Sequence, residues 1–147
     1  MSIARGAGTE IIRSAMFEDV AGVGTKDLII GEQHHIYTVL SVVMYTVNAG
    51  GYINLNVTGY DSNGGTTAQE IVLLSRTIVA GETFVWNDKF SFNGYEPTNF
   101  TGPMDDTTKQ NAIADQGSSV AQKLRIYLSN ASADLDIIVT YIDQNNA

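Results

Sequence analysis

The segment IYTVLSVVMYTV, from Ile36 to Val47, is followed by the turn residues Asn48-Ala49-Gly50-Gly51 and by YINLNVTGY, from Tyr52 to Tyr60. Alternation between two faces, with many β-branched and aromatic residues, is typical of β-strands. Both faces of the first segment are largely apolar, which predicts a strand buried on both sides, whereas the second segment has one polar face. We therefore expect a hairpin at the centre of an all-β protein.

Further strand patterns occur along the rest of the chain. Thr9 to Val20 favours a strand over a short helix, and Leu28 to Ile30 is a short apolar run closed by a glycine. Two more hairpins are predicted, with the following bounds: Ile71 to Val79 joined to Thr83 to Phe92 by Ala80-Gly81-Glu82, and Gln122 to Leu128 joined to Leu135 to Ile142 across residues 129–134.

About eight strands at this spacing predict an antiparallel β-sandwich or jelly roll. Residues 1–8 are small and glycine-rich, which indicates a mobile segment. We expect residues 1–20 to form an extended N-terminal arm and residues 21–147 to form a single β-sandwich domain. The predicted loop from Gly94 to Thr108 is too long for a hairpin turn, and loops of that length tend to be functional.

Composition excludes several classes of function. The 147 residues carry a net charge of −8, and the few lysines are scattered, so we expect no binding to nucleic acid. The chain has no cysteine, which removes disulfides, zinc–cysteine sites and thiol catalysis. The sequence contains no apolar span long enough to predict a membrane segment. Residues Met1 to Gly8 lack the apolar stretch of a secretory signal.

The titratable residues show no pattern of a catalytic or metal site. His34 and His35 are adjacent, and successive strand residues point to opposite faces, so the pair is not placed to chelate one metal. Asp61-Ser-Asn63 begins like a calcium loop but lacks the later ligands, and Glu96, Asp105 and Asp106 have no fixed separation. We expect no enzyme activity, no catalytic residue, no metal site and no cofactor.

Aromatic residues cluster in the second half of the chain and allow two interpretations. Four of them are even-numbered and would therefore point to one side of a strand, as core residues do: Phe84, Trp86, Phe90 and Phe92. Asp88 has the same parity, which predicts a bend or bulge near Asn87-Asp88. The alternative interpretation is a platform on which a sugar ring would stack, built from Tyr52, Tyr60, Phe84, Trp86, Phe90, Phe92, Tyr95 and Phe100.

The whole pattern resembles the small β-sandwich structural proteins of tailed-bacteriophage virions, especially capsid decoration or cement proteins. The resemblance covers residues 34–143 and rests on four stretches, which are Ile36 to Val43, Ile53 to Val57, Val79 to Thr83 and Leu135 to Ile142. It is specific for architecture, and fibre, tail and neck proteins share the same pattern.

The resemblance implies a homo-oligomer, commonly a trimer, that sits on the outer surface of the phage head after assembly in the host cytoplasm. There it would bridge subunits of the major capsid protein. A neck, tail or fibre component is the alternative within the virion class, and a carbohydrate-binding module is the alternative from another class. The residues predicted to contact partners are Ile3, Arg5, Thr9, Ile11, Ile12, Arg13, Met16, Phe17, Tyr95, Phe100 and Met104.

Overall fold

The computed structural model of the chain describes residues 9–32, 34–60, 68–97, 107 and 119–145. These residues form eleven β-strands, and every strand pairing among them is antiparallel. The strands are β1 (Thr9–Ala21), β2 (Gly24–Ile30), β3 (His35–Asn48), β4 (Tyr52–Tyr60), β5 (Ala68–Thr77), β6 (Thr83–Trp86), β7 (Phe90–Asn93), β8 (Tyr95–Pro97), β9 (Ser119–Ala121), β10 (Lys123–Leu128) and β11 (Asp134–Asn145).

The strands form two main sheets. Sheet A has the order β1-β11-β3-β6, and β7 pairs with β3 on the same side as β6. Sheet B has the order β2-β10-β4-β5, and β8 and β9 form a separate two-stranded ribbon. The predicted all-β class with antiparallel pairing is confirmed. Within the described residues there is no helix of the length and apolarity that a membrane crossing requires.

The hydrophobic core contains side chains from both main sheets. On β10 and β11 the buried residues alternate with more exposed ones, as expected for strands with one face on the core. Residues with almost no exposed surface include Val39, Val42, Met44, Ile53, Leu55, Leu124, Ile126, Leu128, Leu135, Ile137 and Val139. Burial of these side chains is the main favourable term in folding this chain, because it contains no disulfide.

The three predicted hairpins are wrong, because each of them joins strands of different sheets. β3 lies in sheet A and β4 in sheet B, and the same holds for β6 with β5 and for β11 with β10. The connecting residues 48–51, 78–82 and 129–133 therefore cross from one sheet to the other. A short polar or glycine-rich connection is compatible with either geometry, so the sequence pattern did not distinguish them.

The three crossings lie side by side and bond to one another. Ser129 N–H donates to the carbonyl oxygen of Tyr52 at 3.1 Å, and Tyr52 N–H donates to Ser129 Oγ at 2.8 Å. Gly81 N–H donates to the carbonyl oxygen of Thr46 at 2.8 Å, and Ile78 N–H donates to that of Gly51 at 3.4 Å. Backbone groups of the crossings are thus satisfied by the adjoining strands β3 and β4 as well as by other crossings.

Two irregularities correct the predicted strand bounds. The predicted strand from Thr83 to Phe92 is divided into β6 and β7 by residues 87–89, which confirms the bend expected near Asn87-Asp88 and raises the strand count above eight. The predicted loop from Gly94 begins with a short strand, since β8 pairs with β9. Residues 98–106 of that loop lie outside the described residues.

Strand β3 is central in sheet A, but it is not buried on both sides. Thr140 pairs with Ser41 and Tyr141 with Val39, so Leu40 is an extra residue in a β-bulge. Before the bulge the odd-numbered side chains, such as Val39, face the core, and after it the even-numbered ones, such as Val42, do so. The opposite side chains are partly exposed, and Tyr45 retains 43% of its accessible surface.

Candidate functional site

A row of apolar side chains runs across the outer face of sheet A. Met16 of β1 pairs with Ile138 of β11, Ile138 with Val43 of β3, and Val43 with Val85 of β6. Their neighbours Phe17, Ile137, Val42 and Trp86 pack in or against the core, so these four side chains project to the other side of the sheet. Met16 is 73% exposed and Val85 is 51% exposed. We call these four residues the apolar row.

The apolar row borders an open groove on the same sheet. Its lining residues are Met16, Phe17, Glu18, Val43, Tyr45, Asp136, Ile137 and Ile138. Ile12, which is 71% exposed, extends the apolar surface along β1, and Val47 extends it along β3. The surface is therefore mostly apolar, with two carboxylates at one end.

The outer face of sheet B carries ion pairs beside exposed apolar side chains, of which Ile30 is 56% and Val72 is 50% exposed. Arg125 Nε lies 2.7 Å from an Asp27 carboxylate oxygen, and Lys123 Nζ lies 3.8 Å from the other oxygen of the same group. Asn56 Nδ2 donates to Glu70 Oε1 at 3.1 Å. The apolar face of sheet A is suited to contact with another macromolecule.

Two of the predicted partner-binding residues lie on this apolar surface. Ile12 and Met16 project outward from β1, whereas Ile11 and Phe17 are partly buried on its other face. Thr9 begins β1, and Tyr95 begins β8 far along the chain. The predicted residues Ile3, Arg5, Phe100 and Met104 lie outside the described residues. Residues 9–20 of the predicted arm belong to a strand that pairs with β11.

Arg13, another predicted contact residue, belongs instead to an ionic network at one end of sheet A. Its Nε atom lies 3.3 Å from an oxygen of Asp143, whose side chain is 5% exposed. The other oxygen of Asp143 lies 2.6 Å from His35 Nδ1, and His35 Nε2 lies 3.5 Å from a Glu32 oxygen. Both ring nitrogens of His35 therefore face carboxylates, which is the arrangement of a structural histidine.

Two tyrosines pack beside this network. The Tyr37 ring stacks on His35 and on Phe92, and the Tyr37 hydroxyl oxygen accepts the Glu32 N–H at 3.0 Å. Burial, and then the nearby carboxylate of Asp143, raises the pKa of Tyr37 to about 12, although the Glu32 hydrogen bond opposes the change. Burial also raises the pKa of Tyr141.

Three aspartates meet where β1 and β11 approach the crossings, a cluster that the sequence pattern did not reveal. One carboxylate oxygen each of Asp19, Asp134 and Asp136 lies within 4.8 Å of the others, and Asp19 N–H donates to Asp136 Oδ1 at 3.1 Å. Burial, and then the Asp19 and Asp136 charges, raise the pKa of Asp134. Among the described residues, this aspartate cluster is the one group of carboxylates spaced to hold a cation.

The aromatic residues of β6 and β7 lie on the core side of the sheet. Phe92 is buried, and Phe84, Trp86 and Phe90 pack against the core. Shared parity thus identified core residues, and these rings are not a platform for sugar stacking. On sheet B the rings of Tyr52 and Tyr127 lie 6.0 Å apart, and Tyr52 is 43% exposed.

Comparison with known proteins identifies no relative by sequence. No protein-family model and no curated protein matches the chain. A solved structure described as Bacillus endospore appendages that form a novel family of disulfide-linked pili has a TM-score of 0.45 at 13% identity, covering 100% of this chain and 97% of that chain. A structure of infectious bursal disease virus, Gx strain, has a TM-score of 0.37 at 14% identity, covering 98% of this chain and 39% of that chain. Similarity at this level does not define a function.

Proposed function

We propose that this protein is a structural component of a virion, a decoration or cement protein of a phage head. It binds the major capsid protein through the outer face of sheet A and stabilises the shell by bridging capsid subunits. The observation that carries the proposal is the apolar row, which leaves side chains such as Met16 and Val85 half or more exposed on one sheet face.

The shape of this surface supports contact with a protein rather than with a small molecule. The row spans four strands of an open sheet, and the groove beside it is open to solvent rather than enclosed. Ligand sites for small molecules are concave and enclose most of the ligand. A broad apolar face with a polar rim is instead characteristic of protein–protein interfaces.

The predicted arm and the apolar row belong to one surface, because both include Met16. Ile3 and Arg5, which precede β1, remain proposed contact residues. Deleting residues 2–16 would remove more than half of β1 and would expose the edge of β11, so loss of binding after such a deletion would have two causes. Single substitutions on the sheet face are therefore the sharper test.

Val85→Glu is the variant that tests the proposal. Val85 is exposed on the outer face at the edge strand β6, so a carboxylate there is tolerated by the fold but is unfavourable in an apolar interface. We expect its affinity for undecorated capsids to fall at least about tenfold, a loss on the order of 1.4 kcal/mol. Val79→Glu is the matched control, because Val79 is 56% exposed but lies in a crossing outside the sheets.

The outcomes distinguish the competing functions. Unchanged capsid binding by Val85→Glu would show that the apolar row is not the contact surface. Binding of the wild-type protein to purified tails or necks rather than to heads would favour the alternative virion location. Saturable binding to one polysaccharide, without capsid binding, would favour the carbohydrate-binding module.

A further inference from the structure

Strand β1 is an edge strand of sheet A with one unpaired side. It pairs with β11 on one side, and no other strand of the described part of the chain pairs with it. An edge strand presents backbone N–H and C=O groups that can pair with a strand of another chain. Over residues 9–17 the pairing with β11 is regular, and the register shift lies beyond Phe17. This regular stretch is long enough to receive another strand.

The side chains of this stretch are arranged symmetrically about Ser14. Ile12 and Met16 lie two residues before and after it on the outer face, and they are 71% and 73% exposed. Ile11 and Phe17 lie three residues before and after it on the opposite face, and both are partly buried. An antiparallel pair of identical strands centred on Ser14 places Ile12 opposite Met16 and Ile11 opposite Phe17.

We propose that two copies of this chain associate through their β1 strands, antiparallel and with two-fold symmetry about Ser14. The pairing extends sheet A of one copy into sheet A of the other and joins their apolar outer faces into one surface. It does not depend on the proposed function. It is an isologous, closed interface, and so it forms a dimer rather than the trimer that the resemblance implies.

Neighbouring registers are less favourable. Centring the pair on Arg13 places the two Arg13 side chains opposite each other, and centring it on Ala15 places Ile12 opposite Glu18. Like charges directly opposite each other are destabilising, and a carboxylate against an isoleucine loses solvation without gaining a partner. The register centred on Ser14 also places Glu10 of each copy opposite Glu18 of the other, a repulsion that occurs twice by symmetry, although Glu18 lies beyond the regular stretch of residues 9–17. It remains the register that places Ile12 opposite Met16 and Ile11 opposite Phe17.

Cysteine cross-linking tests the interface directly, because the native chain has no cysteine. In Ser14→Cys the two sulfurs meet on the two-fold axis, where facing Cα atoms of antiparallel strands are about 4.5–5.5 Å apart, within disulfide range. We expect mild oxidation to convert most of this variant to a covalent dimer. Ser75→Cys, which is exposed on β5 at an edge of sheet B, is the matched control and is expected to remain largely uncross-linked.

A pair of opposite charges introduced at the facing positions 12 and 16 tests the register. Ile12→Lys and Met16→Glu each place a charge opposite an apolar side chain, and each is expected to weaken the dimer at least tenfold. The double variant places the introduced lysine of one copy opposite the introduced glutamate of the other in both halves of the interface, and we expect it to recover dimerisation. Light scattering gives the readout, with a dimer at twice the chain mass of 15.9 kDa.

The proposal would be overturned if the wild-type protein stayed at 15.9 kDa at micromolar concentration. Equal cross-linking of the Ser14→Cys and Ser75→Cys variants would also overturn it. So would an Ile12→Lys, Met16→Glu double variant that is no more dimeric than the single variants. Cross-linking of Ser14→Cys to the capsid protein instead of to itself would assign the β1 edge to the shell. Circular dichroism of each variant confirms that the fold is retained.

Discussion

Gly51 and Ser129 belong to different crossings, and they pack so closely that a Cβ atom on residue 51 would overlap the Ser129 hydroxyl oxygen. Gly51 also has a φ of +65°, in the left-handed region that side chains disfavour. Gly51→Ala is therefore expected to lower the free energy of unfolding by about 2–4 kcal/mol, from backbone strain together with displacement of Ser129. Urea denaturation measures the change.

Gly81→Ala is the matched control for this prediction. Gly81 has a φ of +82°, but a Cβ atom there would have no neighbour within 4 Å. Gly81→Ala is expected to lower the free energy of unfolding only through backbone strain, by about 1–2 kcal/mol. Equal losses in the two variants would show that close packing of the crossings adds nothing to stability.

The buried carboxylate of Asp143 is expected to contribute more to stability than an exposed one. Asp143→Asn keeps the shape of the side chain but removes the charge that faces both Arg13 and His35, and we expect a loss of about 1–3 kcal/mol. Asp27→Asn breaks the ion pair with Arg125, where the Asp27 side chain is 31% exposed, and should cost about 1 kcal/mol or less. Similar losses would contradict a structural role for the network.

Alkaline pH is expected to destabilise the fold through Tyr37. Its pKa is about 12 in the folded chain against an ordinary value of 10.0, so above pH 10 the unfolded chain loses this proton first. The contribution of the protonated Tyr37 hydroxyl to the free energy of unfolding is fully present below pH 10. It falls by up to about 2 kcal/mol as the pH rises to 12. Tyr37→Phe should reduce the slope of unfolding free energy against pH in that interval.

Tyr37→Phe also loses the hydrogen bond from Glu32 N–H, which lowers stability at every pH without altering the slope. A slope that is the same in wild type and Tyr37→Phe would refute the prediction.

Removing one charge from the aspartate cluster is expected to stabilise the native state at neutral pH. The pKa of Asp134 is raised above its ordinary value of 3.8, so the native state takes up this proton before the unfolded chain does as the pH falls. Asp134→Asn should raise the unfolding midpoint at pH 7, and the gain should shrink towards pH 4. Asp88→Asn removes a charge of the same sign outside the cluster and should show no such gain at pH 7.

The candidate site was only partly predictable. Ile12 and Met16 were predicted from the sequence as contact residues, and both are exposed on the apolar surface. Val43 was not, because both faces of β3 are apolar and the bulge at Leu40 decides which face reaches the core. His35 and Asp143 are 108 residues apart in sequence, so only the pairing of β3 with β11 brings them together.

The positions of most strands and the shared core face of the β6 and β7 aromatic residues follow from the sequence, because side-chain alternation and strand propensity are local properties. The pairing of the strands does not follow from it, because pairing depends on contacts between distant parts of the chain. A connection such as Asn48 to Gly51 permits a hairpin or a crossing, and the choice depends on β11, which inserts between β1 and β3 in sheet A. That insertion also creates the apolar row, since its four members come from four strands that are distant in sequence.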